Sequence, residues 1–285
     1  MANPQLKRHI AARDFVAAPG VFDMISALIA DRIGFKALYV TGYGTVASGL
    51  GLPDAGLATY SQMLERIARI CELVKTPVIA DADTGYGGLL NVRHTVRGYE
   101  KAGVSAIQLE DQEFPKKCGH TPNRRVVPMD DMVRKVAVAA DSRSSADFLI
   151  IARTDARTAL GLDEALRRGE AYAKAGADII FIEAPESEDE LAAIAKRTPK
   201  PVIANMVHGG RTPVLPVARL AALGYAAAIF PTLGFLAAAH TLKGVYGELL
   251  RDGKVSAPLY PFTEFNELIG FPDVWDFEKR FAETE

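Results

Sequence analysis

The run Lys116-Lys117-Cys118-Gly119-His120 sets a lone thiol beside two ammonium groups and an imidazole. Nearby cations lower the pKa of a thiol. The run follows a hydrophobic stretch that ends in Glu110-Asp111, so it occupies a loop just past a buried strand, where catalytic side chains concentrate. On these grounds three roles are open to Cys118: nucleophile, metal ligand and proton donor. A second kind of chemistry comes from acids. Asp81 and Asp83 close one hydrophobic run at a period-two spacing that turns both carboxylates the same way. Glu110 closes the next run, and Asp54 lies in the loop after an earlier one. Four carboxylates converging on one mouth repel one another unless a cation neutralises them. An all-oxygen set suits Mg²⁺ or Mn²⁺. Zinc fits less well, because Cys118 and His120 come with no second Cys or His at ligand spacing.

Other polar residues fall at matching points. Arg153, flanked by Ile151 and Ala152, is costly to bury without an anion. It either pairs with Asp155 or Glu183, or clamps a substrate carboxylate in a bidentate fork. Thr41-Gly42-Tyr43-Gly44 offers a turn of backbone N–H groups for a carboxylate. Glu183 and Asn205 close two further runs and join the substrate-binding set, as does His208 in the Gly-rich loop Val207-His208-Gly209-Gly210. Cys71 shares a helical stripe with Ile67, Ile70 and Val74 and reads as core, whereas His94, after Asn91 and Arg93, reads as solvent-facing.

These residues need elements to position them. Short, nearly continuous apolar runs span 15–18, 37–41, 77–83, 106–111, 148–154, 178–184, 201–206 and 226–231, the pattern of strands buried on both faces of a parallel sheet. Helical patterns lie between them at 60–74, 90–101, 129–142, 163–175 and 188–196. Gly34, Gly103, Gly176 and Gly224 each stand just before a strand, where glycine supplies a left-handed helix cap. Eight such units predict a (β/α)8 barrel, whose active site lies at the C-terminal ends of the strands. A doubly wound open sheet fits less well, because Gly42-Tyr43-Gly44 does not extend into a dinucleotide fingerprint. The chain reads as one barrel domain over 1–285, with 254–285 as an apolar packing segment that covers its own barrel or crosses to a neighbouring subunit.

Composition narrows the classes. The 285 residues are 49% hydrophobic with a formal net charge of −2, enough for a large core and against nucleic acid as a partner. No apolar run reaches the ~18 residues that span a bilayer. The first residues lack the apolar core of a signal peptide, which points to a cytoplasmic protein. Two cysteines, Cys71 and Cys118, make no disulfide framework.

The Lys-Lys-Cys-Gly-His run resembles the signature of the isocitrate lyase and phosphoenolpyruvate mutase superfamily. The likeness extends through Gly51-Leu52-Pro53-Asp54, Asp81-Ala82-Asp83-Thr84-Gly85-Tyr86-Gly87, Glu110-Asp111-Gln112, Ala152-Arg153-Thr154-Asp155-Ala156 and Ile182-Glu183-Ala184-Pro185, to Phe262-Thr263-Glu264-Phe265-Asn266-Glu267-Leu268. Length and the Thr-Asp-Ala at 154–156 are similar to the short-chain branch, which holds 2-methylisocitrate lyase, 2,3-dimethylmalate lyase and petal-death-type alkylmalate lyases. That resemblance implies a barrel whose last helix is exchanged between subunits in a homotetramer, a dimer of dimers. It implies Mg²⁺ bound directly by Asp83 and through waters by Asp54, Asp81 and Glu110. The substrate carboxylate would be held by Thr41-Gly42-Tyr43 and Arg153, with Cys118 as general acid, Lys116 and His120 stabilising an enolate, and Tyr39 handling the hydroxyl proton.

The activity so implied is a Mg²⁺-dependent retro-aldol cleavage. A 2-alkylmalate or 2-methylisocitrate, a small di- or tricarboxylate, would give pyruvate or another 2-keto acid plus a carboxylic acid. Oxaloacetate decarboxylation on the same site is the alternative, with a phosphonopyruvate-type hydrolase or mutase third. A keto-acid-binding protein without catalysis is disfavoured, since none of the family's carboxylates, Arg or Cys is missing. Two departures bear on the substrate: His208 stands where relatives of the lyase branch usually have Glu, and Thr121 where isocitrate lyases carry a larger residue.

Overall fold

The computed structural model describes residues 2–119 and 124–282. His120 and Thr121 lie outside the described residues. Two compact units divide after Phe235.

The first unit opens with helix α1 (Gln5–Ala11), then alternates strands and helices: β1 (Val16–Val21), α2 (Met24–Ile33), β2 (Leu38–Val40), α3 (Gly42–Leu50), α4 (Tyr60–Leu73), β3 (Val78–Asp81), α5 (Leu89–Lys101), β4 (Ala106–Glu110), α6 (Met129–Ser142) and β5 (Leu149–Thr154). It continues through α7 (Ala156–Leu160), α8 (Leu162–Lys174), β6 (Ile179–Ile182), α9 (Glu188–Arg197), β7 (Ile203–Asn205), α10 (Val217–Leu223) and β8 (Ala227–Phe230), and ends in the first turn of α11 (Leu233–Asp252). The eight strands are parallel and run in the order β6-β5-β4-β3-β2-β1-β8-β7. A single bridge, Ile180 against Val202, joins β6 to β7 and brings the sheet round into a (β/α)8 barrel. All eight expected strands form, β1 extending past its apolar run and the others one to three residues shorter than theirs.

Period-two alternation sorts the side chains. Val16, Ala18, Tyr39, Ile79, Ala106, Leu149, Ile151, Ile179, Phe181, Ile203, Ala227 and Ile229 pack together inside the barrel. Leu6 and Ile10, one helical turn apart on α1, join that cluster and close its N-terminal end. Their neighbours along the strands, such as Val40, Ala80, Ile107, Ile150 and Ile180, face the helices in a second, larger core. Local chemistry marks the helix ends. Asp23 and Ser26 form a reciprocal capping box on α2, and Thr59 and Gln62 another on α4. Such caps satisfy N–H groups that a helix leaves without partners. Gly34, Gly103, Gly176 and Gly224 all have positive φ, between 91° and 114°.

The second unit comprises α11 from Leu236 onward, α12 (Phe262–Leu268) and α13 (Phe271–Phe281). Among the described residues Leu268 is its one buried side chain. Tyr246, Leu250, Phe262, Trp275, Phe277 and Phe281 are exposed. No helix of the described residues is long and apolar enough to cross a membrane.

Barrel closure tolerates no side chain at Gly20 in β1. A Cβ there would stand 2.4 Å from the Pro231 carbonyl oxygen and 2.6 Å from its Cα, both backbone atoms. Gly20→Ala must therefore push β1 and the end of β8 apart. A loss of about 2–3 kcal/mol in urea unfolding is expected; a stability equal to the parent would show that this junction is not tightly packed.

Candidate active site

Continuing each strand's inward positions past the apolar layers leads to polar residues at the C-terminal ends. After Tyr39 comes Thr41, after Ile79 Asp81, after Ile151 Arg153, after Phe181 Glu183, and after Ile203 Asn205. Glu110 is paired in register with Arg153 across β4 and β5. All of these line one cavity at the barrel mouth. The loop after β4 supplies Lys116, Lys117, Cys118 and Gly119 to the same wall, and Asp54 comes from the segment between α3 and α4. Val207, Ile229 and Pro231 give the cavity an apolar side.

One half of the mouth is organised around an ammonium. Lys116 Nζ lies 2.5 Å from Asp54 Oδ1 and 2.6 Å from Asp83 Oδ1, with only 3% of its side chain exposed. Burial alone would lower its pKa, but Asp83, Asp54, Asp81 and Glu110 together hold it well above the usual lysine value. Asp81 Oδ1 accepts the Asp83 N–H at 3.0 Å. The strand stops at Asp81, and Asp83 has a positive φ of 49°. Both carboxylates thus share the mouth through a tight turn, not by strand alternation. Burial pushes the Asp83 carboxyl up to about 6, against the pull of Lys116. Glu110 is shifted well above the usual carboxylate range by burial, which Arg153 only partly offsets. Its Oε1 is buried with no hydrogen-bond partner.

The other half is organised around a guanidinium. Arg153 Nε and Nη2 donate to the two Asp155 oxygens, each at 2.9 Å. Arg153 also stands 3.3 Å from Glu110 Oε2 and 3.2 Å from Glu183 Oε2. The acid partners expected for this arginine, Asp155 and Glu183, are both present, and Glu110 joins them. Asp155 receives a second arginine, Arg124, and its backbone N–H donates to Asp111 Oδ1 at 2.9 Å. Asp111 faces away from the cavity, opposite to Glu110, and is bonded by the Thr154 hydroxyl at 2.7 Å, the Tyr172 hydroxyl at 2.8 Å and Arg168 at 2.9 Å. Glu183 accepts from Asn205 Nδ2 at 3.0 Å and from the Ala184 N–H at 2.8 Å.

Between the halves runs the segment that carries the thiol. Gln112 clasps it at two points, Nε2 donating to the Lys117 carbonyl at 2.8 Å and Oε1 accepting the Lys117 N–H at 3.0 Å. Cys118 is half-buried on the cavity wall. Gly119 is pressed against the arginine half: a Cβ there would meet Arg153 Nη2 at 2.4 Å and Glu183 Oε2 at 2.8 Å. Tyr39 is buried, its hydroxyl donating to Gln108 Oε1 at 3.2 Å. Burial, reinforced by Asp81, raises its pKa far above the ordinary phenol value. At neutral pH Tyr39 is therefore a donor and not a base. Thr41-Gly42-Tyr43, expected as a turn, is the N-terminus of α3, where the first N–H groups lack intrahelical partners.

Not every expected residue converges. His208 is exposed and does not line the cavity, because alternation past Asn205 gives the inward position to Val207. As expected, Cys71 is packed against the core, its thiol pushed up to about 12 by burial, and His94 is exposed, its ring 4.7 Å from that of Tyr60. Sequence reasoning missed Thr232 and Gln108. Thr232 lines the cavity with a buried hydroxyl that has no partner, and Gln108 Nε2 likewise has none. The period-two step from Glu110 back to Gln108 was the available signal; for Thr232 there was none.

The donor set suits a hard divalent cation: four carboxylates act on one positive centre, and the Glu110 oxygen is unpaired. Among the described residues, however, no three His, Cys, Asp or Glu side chains already form a metal cage.

Comparison with known proteins gives a consistent result. The phosphoenolpyruvate phosphomutase family model matches residues 6–250. The chain is similar to 2,3-dimethylmalate lyase of Eubacterium barkeri, 47% identical over 98% of this chain and 97% of that one. It is similar to 2-methylisocitrate lyase of Aeropyrum pernix, 43% identical over 98% and 90%. Among solved structures it resembles a 2,3-dimethylmalate lyase with a TM-score of 0.93 and 33% identity, covering 99% of this chain and 96% of that one. A phosphonopyruvate hydrolase in complex with oxalate and Mg²⁺ gives a TM-score of 0.89 at 32% identity, covering 99% and 100%.

The unpaired Glu110 oxygen leads to a separable test. Glu110→Gln replaces a buried carboxyl whose charged form burial disfavours, while leaving Arg153 its contacts with Asp155 and Glu183. Without added metal the variant should be as stable as the parent or about 1 kcal/mol more so in urea unfolding, yet turn over substrate at least ~100-fold more slowly. Marked destabilisation would mean that Glu110 is primarily a structural partner of Arg153.

Proposed function

The chain belongs to the phosphoenolpyruvate phosphomutase family and within it to the carbon–carbon lyases, and from that premise we propose that it cleaves a 2-alkylmalate or a 2-methylisocitrate to a 2-keto acid and a carboxylic acid, using Mg²⁺. The observation that carries this reading is the assembly around one cavity of Cys118, a buried lysine, Asp54, Asp81, Glu110 and the N-terminus of α3, with Asp83 held on that lysine. Asp83, with Asp54, Asp81 and Glu110, would hold the magnesium ion, which supplies Lewis acidity toward the substrate hydroxyl and the keto group that develops from it.

The chain's own groups account for the remaining needs. A carboxylate of the substrate is recognised by the free N–H groups of Gly42 and Tyr43 at the positive end of α3. Arg153, already neutralised on the Asp155 side, contributes its cavity-facing edge. The hydroxyl proton needs an acceptor; Tyr39 is a donor, so that role falls to the carboxylate side, where Glu110 Oε1 has no protein partner. When the C–C bond breaks, the electron pair passes into the second acid as an enolate. Lys116 and Lys117 offset its charge, and the Cys118 thiol gives its proton to carbon. His120 joins these cations by the family's pattern. The apolar wall of Val207, Ile229 and Pro231 suits an alkyl substituent. Such a pocket discriminates one methylene by only about 1–3 kcal/mol, so several alkylmalates should be accepted.

The exposed apolar side chains of the C-terminal unit support an assembly in which that unit packs on another subunit, in a homotetramer. Replacing Trp275 and Phe277 together by Ser should yield a smaller species by light scattering; an unchanged mass would remove α13 from the interface.

A Mg²⁺-supported panel of methylisocitrate, dimethylmalate, ethylmalate, isocitrate and oxaloacetate, read by keto-acid release, tests the activity. At least one branched malate should be cleaved, and chelation should stop it. Cys118→Ser should lower cleavage by roughly 10²–10⁴-fold while sparing decarboxylation of oxaloacetate. Full cleavage by this variant would end the general-acid assignment, and no keto acid from any C–C cleavage substrate would end the lyase reading.

A further inference from the structure

Lys116 is positioned for more than a substrate contact. Its ammonium is the point at which three separate segments meet: its own loop after β4, Asp54 between α3 and α4, and Asp83 past the end of β3. It is 3% exposed and pairs with two of the four candidate ligand carboxylates. Resting on the reading that these carboxylates hold the metal, we propose that Lys116 is a tethered counter-ion of the cluster and that a divalent cation binds by displacing it.

The geometry argues for exchange over coexistence. A Mg²⁺ ion needs ligand oxygens at about 2.0–2.1 Å in an octahedral shell. The Lys116 nitrogen is 2.6 Å from Asp83 Oδ1, the carboxylate expected to bind the ion directly, and 2.5 Å from Asp54 Oδ1, expected to hold it through water, so it takes up the space both the ion and its water need. A doubly charged ion that close to an ammonium also repels it strongly in a buried site. The lysine has somewhere to go, since it lines the cavity in which the substrate's anionic groups bind. Gln112 clasps the neighbouring Lys117 backbone at 2.8 Å and 3.0 Å, so the main chain can stay in place while the Lys116 side chain turns. An ion arriving first would thus hand the substrate a freed cation.

Calorimetric titration with Mg²⁺ alone tests the exchange in the parent, in Lys116→Gln and in Lys117→Gln. Removing the competing cation should tighten Mg²⁺ binding at least ~10-fold in Lys116→Gln, with Lys117→Gln within ~2-fold of the parent. Equal or weaker binding by Lys116→Gln overturns the proposal while leaving the metal reading intact. No binding by the parent or either variant overturns the metal reading itself. If Lys116→Gln fails to fold, acetic anhydride labelling of the parent with mass-spectrometric readout decides the matter. Lys116 should be protected relative to exposed Lys117 without metal and become reactive on addition of Mg²⁺ alone; a Lys116 that stays protected at saturating Mg²⁺ refutes displacement.

Discussion

Like charges crowded into a buried barrel mouth must be balanced, and that requirement organises the rest of this protein. Asp54, Asp81, Asp83 and Glu110 gather on one side, and Glu183 and Asp155 on the other. Left to burial alone, such groups would neutralise by taking up protons. Two buried cations divide the task. Lys116 serves the first set as a compact point charge with rotatable donors, and Arg153 serves the second as a planar fork that bonds Asp155 through two parallel hydrogen bonds. The difference matters. A lysine ammonium on a flexible stem can be exchanged for another cation, whereas a guanidinium held by three carboxylates and lying 5.2 Å from the Phe181 ring is fixed. One half of the mouth is therefore adaptable and the other rigid.

Rigidity on the arginine side comes from the strand period. Glu110 and Asp111 are adjacent, so alternation sends them to opposite faces of β4. Glu110 enters the cavity, while Asp111 enters the layer between sheet and helices, where Thr154, Tyr172 and Arg168 bond it. Through the Asp155 N–H, Asp111 also fixes the turn that presents Asp155 to Arg153. A fully bonded carboxylate outside the barrel thereby sets the orientation of the guanidinium inside it, and Asp155 is held ionised despite its burial by Arg153 and Arg124.

The same periodicity explains what could be read from residues alone. The strands were legible because burial on both faces makes them continuously apolar, and their order followed from the eightfold alternation with glycine-capped helices. Asp81, Glu110, Arg153, Glu183 and Asn205 were legible as the residues at which the apolar runs turn polar. Three features were not. Asp83 was expected beside Asp81, but by strand alternation; it lies past the strand and is oriented through a positive φ that an Asp–Ala–Asp spacing does not disclose. His208 looked well placed in a glycine-rich loop, yet one residue of phase gives the inward position to Val207. The partners of Arg153 were open because a buried arginine among acids can pair with any of them, and only distances show that Asp155, Glu183 and Glu110 are the ones it meets.

Backbone strain marks where these demands were met at a cost. Among the described residues, four non-glycine positions have positive φ: Arg13, Asp83, Tyr86 and Ala184. Asp83 and Ala184 sit immediately past β3 and β6, and Tyr86 lies in the same turn as Asp83. Each such conformation costs of order 1–3 kcal/mol and persists only where the surroundings over-determine it. At Asp83 the surroundings are the Lys116 ion pair and the hydrogen bond from its own N–H to Asp81; at Ala184 they are the bond to Glu183 and its buried position. The strained turns thus lie where a carboxylate is bent into the mouth from just beyond a strand end. Strand geometry alone delivers one inward side chain per two residues, so a cluster this dense at a barrel mouth has to draw on turns and loops that regular secondary structure does not provide.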